Sequence, residues 1–225
     1  MYFKTAIVYL KQILTLIRKD FLLEWRQKHT LFGVMLYVGC TVFVLYMMAG
    51  QPESRIWNAL FWVAQLFITV NTVAKSFLQE GEGCMRYYFT LVAPVQYILA
   101  KMVYSLALML VMMFIALLLF NLMLGSPVNR MGTFICICCI GASSLSLLFT
   151  FLSAIAAKAR QNAALMAILG FPIAIPLLMV LSNLALSTVA SVVQEGWWGM
   201  VFVMIGMNIL ILTLAVVLFP FLWKE

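Results

Sequence analysis

Six apolar runs, near residues 31 to 50, 56 to 74, 98 to 124, 131 to 157, 163 to 186 and 197 to 222, take up most of the 225-residue chain. A helix needs about 20 apolar residues to cross a hydrocarbon core, and each run is close to or above that length. Inside lipid every backbone N–H and C=O must be paired within the structure, which leaves helices as the spanning form for runs this long. The chain therefore reads as an all-α, polytopic membrane protein with six transmembrane helices in one membrane domain. Only 9% of its side chains are charged, against roughly a quarter in soluble proteins. The few polar stretches are consequently informative by position.

The formal net charge is +7. Its placement follows membrane topology rather than a nucleic-acid surface. Lys4, Lys11, Arg18, Lys19, Arg26 and Lys28 precede the first run; Lys75, Arg86 and Lys101 surround the second loop; Lys158 and Arg160 lie in the fourth; Lys224 is near the C-terminus. Arg55 and Arg130 fall in the alternate loops, a division of twelve against two. That is the positive-inside pattern, and it places both termini in the cytoplasm, with membrane lipid and not nucleic acid as the partner of the basic residues. About 30 residues precede the first run without a short basic tip and a small-residue cleavage site, so the first span is expected to be retained.

Residues 1–30 form a separate unit, an amphipathic interfacial helix ahead of a six-helix domain at 31–225. At 100° per residue Phe3, Ile7, Leu10, Ile13, Leu14, Ile17, Phe21 and Trp25 share one face, beside a basic stripe of Lys4, Lys11, Arg18, Lys19 and Arg26. Such a helix is expected to lie among cytoplasmic headgroups. Asp20 and Glu24, four apart at the apolar edge, add a possible contact with a partner to this anchoring role.

Polar groups inside the runs read first as packing. Asn58, Gln65 and Asn71 lie on the second run, where an amide normally faces another helix. Ser143, Ser146, Thr150 and Ser153 recur on one face of the fourth and suit close helix contact. Cys136, Cys138 and Cys139 have neither a heme-attachment spacing nor a neighbouring His, and behave as small hydrophobes. The sole histidine, His29, sits at the junction ahead of the first run, where headgroup contact is its ordinary role. Gly170, Pro172 and Pro176 in the fifth run predict a bent or broken helix, because each proline lacks a donor and clashes with the preceding turn. Trp197 and Trp198 open the sixth run as interfacial indoles.

No Asp, Glu, Lys, Arg or His stands in a run away from its ends, which argues against proton-driven transport. There is no G-x-x-x-x-G-K-[ST] loop, so this chain is not expected to bind and hydrolyse ATP itself. What remains is the loop at about 75–97, holding Glu80, Gly81, Glu82, Gly83, Arg86 and Pro94, with Lys101 just beyond it. Phe77, Leu78, Met85, Tyr88 and Phe89 give it an apolar side. A short amphipathic segment between two spans can pass a push from a soluble partner into them. On this basis Glu80, Gly81, Glu82, Gly83, Arg86, Pro94 and Lys101 are the candidate ATPase-coupling residues, and no catalytic, cofactor-binding or metal-ligating set is expected.

Several stretches carry a family resemblance: Arg18-Lys19-Asp20-Phe21 to Trp25-Arg26, Leu78-Gln79-Glu80-Gly81 onward to Leu91, Pro94 and Leu99-Ala100-Lys101, and Ile168 through Phe171-Pro172-Ile173-Ala174-Ile175-Pro176-Leu177-Leu178. With the length and span count, these make the chain resemble the membrane domain of an ABC-type exporter, and more narrowly the heme exporter protein B family of bacterial cytochrome c maturation. The resemblance implies a permease subunit in the bacterial inner membrane that works with a cytoplasmic ABC ATPase and a tryptophan-rich, heme-handling membrane subunit. It also implies that ATP turnover on the partner releases a heme-loaded periplasmic chaperone, with heme as the ligand transported or handled. Trp197-Trp198-Gly199 does not reproduce the tryptophan-rich heme motif, which belongs to the partner. An exporter subunit for lipid, glycan or drug, and an assembly scaffold with no translocation path, stand as the alternatives.

Overall fold

A computed structural model describes residues 2–26, 28–78, 94–158, 163–189 and 196–224, with side chains described for 11–24, 26, 29, 32–73, 94–156, 168–189 and 196–220. Seven helices and no strand occur among the described residues: α1 Tyr2–Arg26, α2 Lys28–Ala49, α3 Ser54–Leu78, α4 Pro94–Leu124, α5 Met131–Lys158, α6 Ala163–Val189 and α7 Trp197–Lys224. The last six contain the six segments long and apolar enough to cross a membrane. α1 is amphipathic and is not among these spans, as its mixed apolar and basic sequence predicts. Short turns join α2 to α3 and α4 to α5. Gly50 and Gly125 adopt φ of 58° and 79°, the left-handed conformation that stops a helix at low steric cost.

The third span starts earlier than its hydropathy suggests. Pro94 is the first residue of α4, where its missing N–H costs no intrahelical bond. The expected loop at 75–97 is thereby shortened at its far end, and Lys101 lies two turns inside a helix rather than beside a loop.

α5 is the centre of the bundle and packs against α3, α4, α6 and α7. Two-thirds of its span is buried (67%), against 17% for each of α2 and α7, so those two form the periphery. Among its described side chains α2 fully buries a single stripe, Val34, Val38 and Val42, with Tyr37 and Leu45 half-buried beside it. Lipid tails are as apolar as leucine, so close fit and hydrogen bonds must hold these helices together. Gly141 and Gly170 provide the close fit. A Cβ on Gly141 would stand 2.5 Å from the Trp62 ring, and one on Gly170 would stand 2.5 Å from Phe149 Cε1. Away from the α1 side, Trp57 and Phe61 of α3 stack at 5.6 Å and meet Phe120 of α4 and Phe134 of α5 edge-on or tilted.

The amides divide by role. Asn58 donates to the Ser182 carbonyl (2.8 Å) and to Ser182 Oγ (3.1 Å), and accepts from Trp62 Nε1 (3.1 Å), clamping α3 to α6. Asn71 instead returns a bond to the Phe67 carbonyl of its own helix. Gln65 is buried, and neither of its amide atoms has a hydrogen-bond partner among the described residues. On α5, Ser146, Thr150 and Ser153 are buried in the helix contacts, while Ser143 is half-buried and bonds the Cys139 carbonyl.

α6 narrows one expectation, a bent or broken helix at Gly170, Pro172 and Pro176, by excluding the break. The helix is not broken: it runs from Ala163 to Val189 with Pro172 and Pro176 inside it. Gly170 is a packing residue, buried against Phe149 and Leu152, whereas both prolines face outward.

Candidate functional site

Sequence alone places Asp20 and Glu24 at the edge of an apolar face. The structure turns that edge inward. Asp20 is 6% exposed and Glu24 7%, while Leu14, Phe21, Leu22 and Leu23 of the same helix are exposed. The acidic pair is therefore not displayed to solvent; it is the face by which α1 docks on α4.

Lys101 Nζ lies 3.2 Å from Asp20 Oδ2, and both side chains are about 5% exposed or less. Lys19, more open at 26%, reaches Asp20 Oδ1 at 3.0 Å. One helical turn further along both helices, the Tyr104 hydroxyl donates to Glu24 Oε2 at 2.8 Å. The Phe21 ring packs edge-on against the Tyr104 ring at 5.4 Å, and Lys101 Nζ stands 5.8 Å from the centre of that ring. The i, i+4 spacing of the acids matches the i, i+3 spacing of Lys101 and Tyr104, so two contacts form in the same order along both helices.

Two ammonium groups, Lys19 and Lys101, meet the Asp20 carboxylate, and Glu24 is bonded by the Tyr104 hydroxyl. Burying either sign alone would cost several kcal/mol, about 3 to 5 when one partner of a buried pair is removed. Lys101 lies roughly 10 Å along α4 from Pro94 at 1.5 Å per residue. A cation at that depth needs a companion, and α1 supplies it. The cluster thus makes α1 part of the membrane domain, although its residues look like a separate surface helix.

The remaining site residues expected from sequence separate into three groups. Arg18 and Arg26 are exposed on α1, clear of the buried cluster, and the Trp25 side chain lies outside the described residues. Glu80, Gly81, Glu82, Gly83 and Arg86 also lie outside the described residues. Pro94 opens α4, and Lys101 belongs to the ion cluster. The residue that sequence reasoning missed is Tyr104. Its signal was its position three after Lys101, on the same face of an otherwise apolar helix.

Among the described residues no group of three His, Cys, Asp or Glu side chains could hold a metal ion. Cys138 is buried, Cys139 half-buried and Cys136 exposed, so the three thiols point around α5 rather than together. His29 is exposed at the start of α2. Between α3 and α6 an apolar groove of about 360 Å³ opens sideways, lined by Ala59, Trp62, Val63, Ile175, Met179 and Asn183 among others.

A six-span helical bundle with a docked amphipathic N-terminal helix defines a multi-pass membrane protein. The chain belongs to the CcmB family, whose model, described as "CcmB protein", matches residues 11–222. A search of curated proteins finds no match. Membership makes the chain a membrane subunit of a heme-exporter ABC system, a permease-type component that works with an ABC ATPase.

Proposed function

We propose that this chain is the non-catalytic subunit that couples a separate cytoplasmic ATPase to release of heme, carried by a periplasmic chaperone, for c-type cytochrome assembly. Family membership over residues 11–222 is the observation that carries the reading. The positive-inside charge pattern supports an inner-membrane location with both termini in the cytoplasm, so that α1 and the segment before α4 share the ATPase side. Heme is here a cargo or handled ligand, and a tryptophan-rich membrane subunit is the partner proposed to hold it.

The geometry supports a mechanical route. α4 is continuous from Pro94 to Leu124, so a displacement delivered to the segment before Pro94 moves the whole helix. Two turns in, Lys101 and Tyr104 tie that helix to α1 through Asp20 and Glu24. α1 and α4 then move as one body, and α4 passes the displacement to α5, α2 and α7, against which it packs. No residue of this chain needs to do chemistry in that cycle.

Reversing the charges at Glu80 and Glu82 together tests the reading. The expected result is loss of ATPase co-purification or of its stimulation, with heme-loaded chaperone accumulating undischarged. Wild-type coupling in the double variant would sink it. Normal assembly of c-type cytochromes in cells lacking the gene would point instead to another exported substrate.

A further inference from the structure

Polar residues punctuate the buried face of α3. Asn58, Gln65, Thr69 and Thr72 follow at intervals of seven, four and three, which keeps them on one side of the helix, and each is 2% exposed or less. Three of them are satisfied within the chain. Asn58 bonds Ser182 and Trp62, and the Thr69 and Thr72 hydroxyls donate to the Gln65 and Ile68 carbonyls, both at 2.7 Å. Gln65 is the exception, with its amide nitrogen and its amide oxygen both lacking a partner among the described residues. A side chain buried with donor and acceptor unmet is uncommon in folded proteins, and bound water is the ordinary remedy.

The facing helix repeats the pattern. α4 runs antiparallel to α3: the Phe61 and Phe120 rings meet at 5.4 Å, and Thr69 Oγ1 lies 3.4 Å from Met109 Sδ. Gln65 falls between these two contacts, at the level of Met112, Met113 and Ala116. Ser105 precedes Met109 by four residues and shares its face; it is 1% exposed, and its hydroxyl also has no partner among the described residues. Thr72 stands one turn beyond Thr69, so Thr72 and Ser105 occupy one level. Because the two threonine hydroxyls direct their hydrogens to carbonyls, their oxygens keep lone pairs that can accept. Lys101 is the next residue on the α4 stripe, and with Asp20 it begins the ion cluster.

The unmet groups select the ligand. Gln65 requires an acceptor for its nitrogen and a donor for its oxygen, and Ser105 requires an acceptor for its hydrogen, so a molecule that does both serves at each level. An ion at Gln65 would have no opposite charge on either stripe short of Lys101. Met109, Met112 and Met113, all 0 to 1% exposed, surround this level with unbranched thioether chains that adjust to small irregular spaces. We infer that the seam between α3 and α4 binds internal water, at one site on the Gln65 amide and at a second between Ser105 and Thr72. Trp57, Phe61 and Phe120, each fully buried and in ring contact, close the seam beyond Gln65. The two sites therefore lead from the ion cluster to a dead end and hold resident water, whichever substrate the protein serves.

Radiolytic footprinting tests this, because hydroxyl radicals formed from bound water oxidise the side chains next to it. The full chain in lipid nanodiscs is given a brief X-ray pulse and its oxidised residues are mapped by mass spectrometry. Oxidation is expected at Met109, Met112 and Met113 and not at Cys138, which is equally buried on α5 and carries a thiol at least as reactive as a thioether. Gln65→Leu should abolish oxidation at Met112 and Met113, and Ser105→Ala should lower it at Met109 while leaving those two unchanged. Unmodified methionines in the unaltered chain overturn the inference, and that measurement depends on no variant folding. Oxidation of Cys138 to the same extent would mean water diffusing through the whole bundle, and oxidation of Met112 and Met113 indifferent to Gln65→Leu would mean water not held by that amide; either result also overturns it.

Discussion

Lys101 shows how a single side chain can change the meaning of a helix. Lys101→Met leaves Asp20 buried without its deep partner, and stability is expected to fall by about 3–5 kcal/mol. Adding Asp20→Asn should recover most of that loss, because position 20 then carries no buried charge in need of Lys101; thermal unfolding of the purified chain in detergent checks both. Tyr104→Phe removes the donor to Glu24 and should cost about 1–3 kcal/mol. Gly170→Ala would drive a methyl to 2.5 Å from the ring of Phe149, itself fully buried, and overpacking of this kind costs about 1–3 kcal/mol. At this scale the sequence was half legible. The spacing of Asp20 and Glu24 announced a shared face, but not that Lys101 and Tyr104, some 80 positions later, complete it. Pairings so distant in sequence depend on which helices pack, and hydropathy is blind to that.

Among the elements, α1 and α6 depart most from their sequence patterns. An amphipathic helix ahead of a first span predicts a surface anchor, and α1 is instead held to α4 by buried charge. A chain beginning at Lys28 is therefore expected to accumulate poorly, because Lys101 loses its counter-ion. Lys101→Met in the same truncated chain should restore its level, which immunoblotting of membranes would read. No recovery would assign α1's role to something other than neutralising that ammonium. For α6, prolines predict a bend or a break, and the structure keeps one continuous helix through both. Proline removes a donor but leaves φ suited to a helix, so tertiary packing through Gly170 and the buried Ala174, Leu177 and Leu181 decides the outcome.

The whole molecule is the most legible level, because crossing a membrane is a requirement on length and apolarity that sequence states directly. Six runs became six spans, with boundaries moved by at most a turn or so. The order of burial, with α5 inside and α2 and α7 outside, was not visible, since runs facing lipid and runs facing protein are equally apolar. Thiol chemistry can test that order. Cys40 and Cys136 are exposed and Cys138 is buried, so a membrane-permeant alkylating reagent should modify the first two well before the third. Equal rates at all three would contradict the packing of α5. The ion cluster has a last consequence, for synthesis. α1 leaves the ribosome first, yet its acids find Lys101 and Tyr104 only after two spans and a loop have followed. A stalled nascent chain ending before Lys101 should leave α1 open to protease, and one extended past Leu124 should protect it. A segment made ahead of all six spans would be among the later ones to settle.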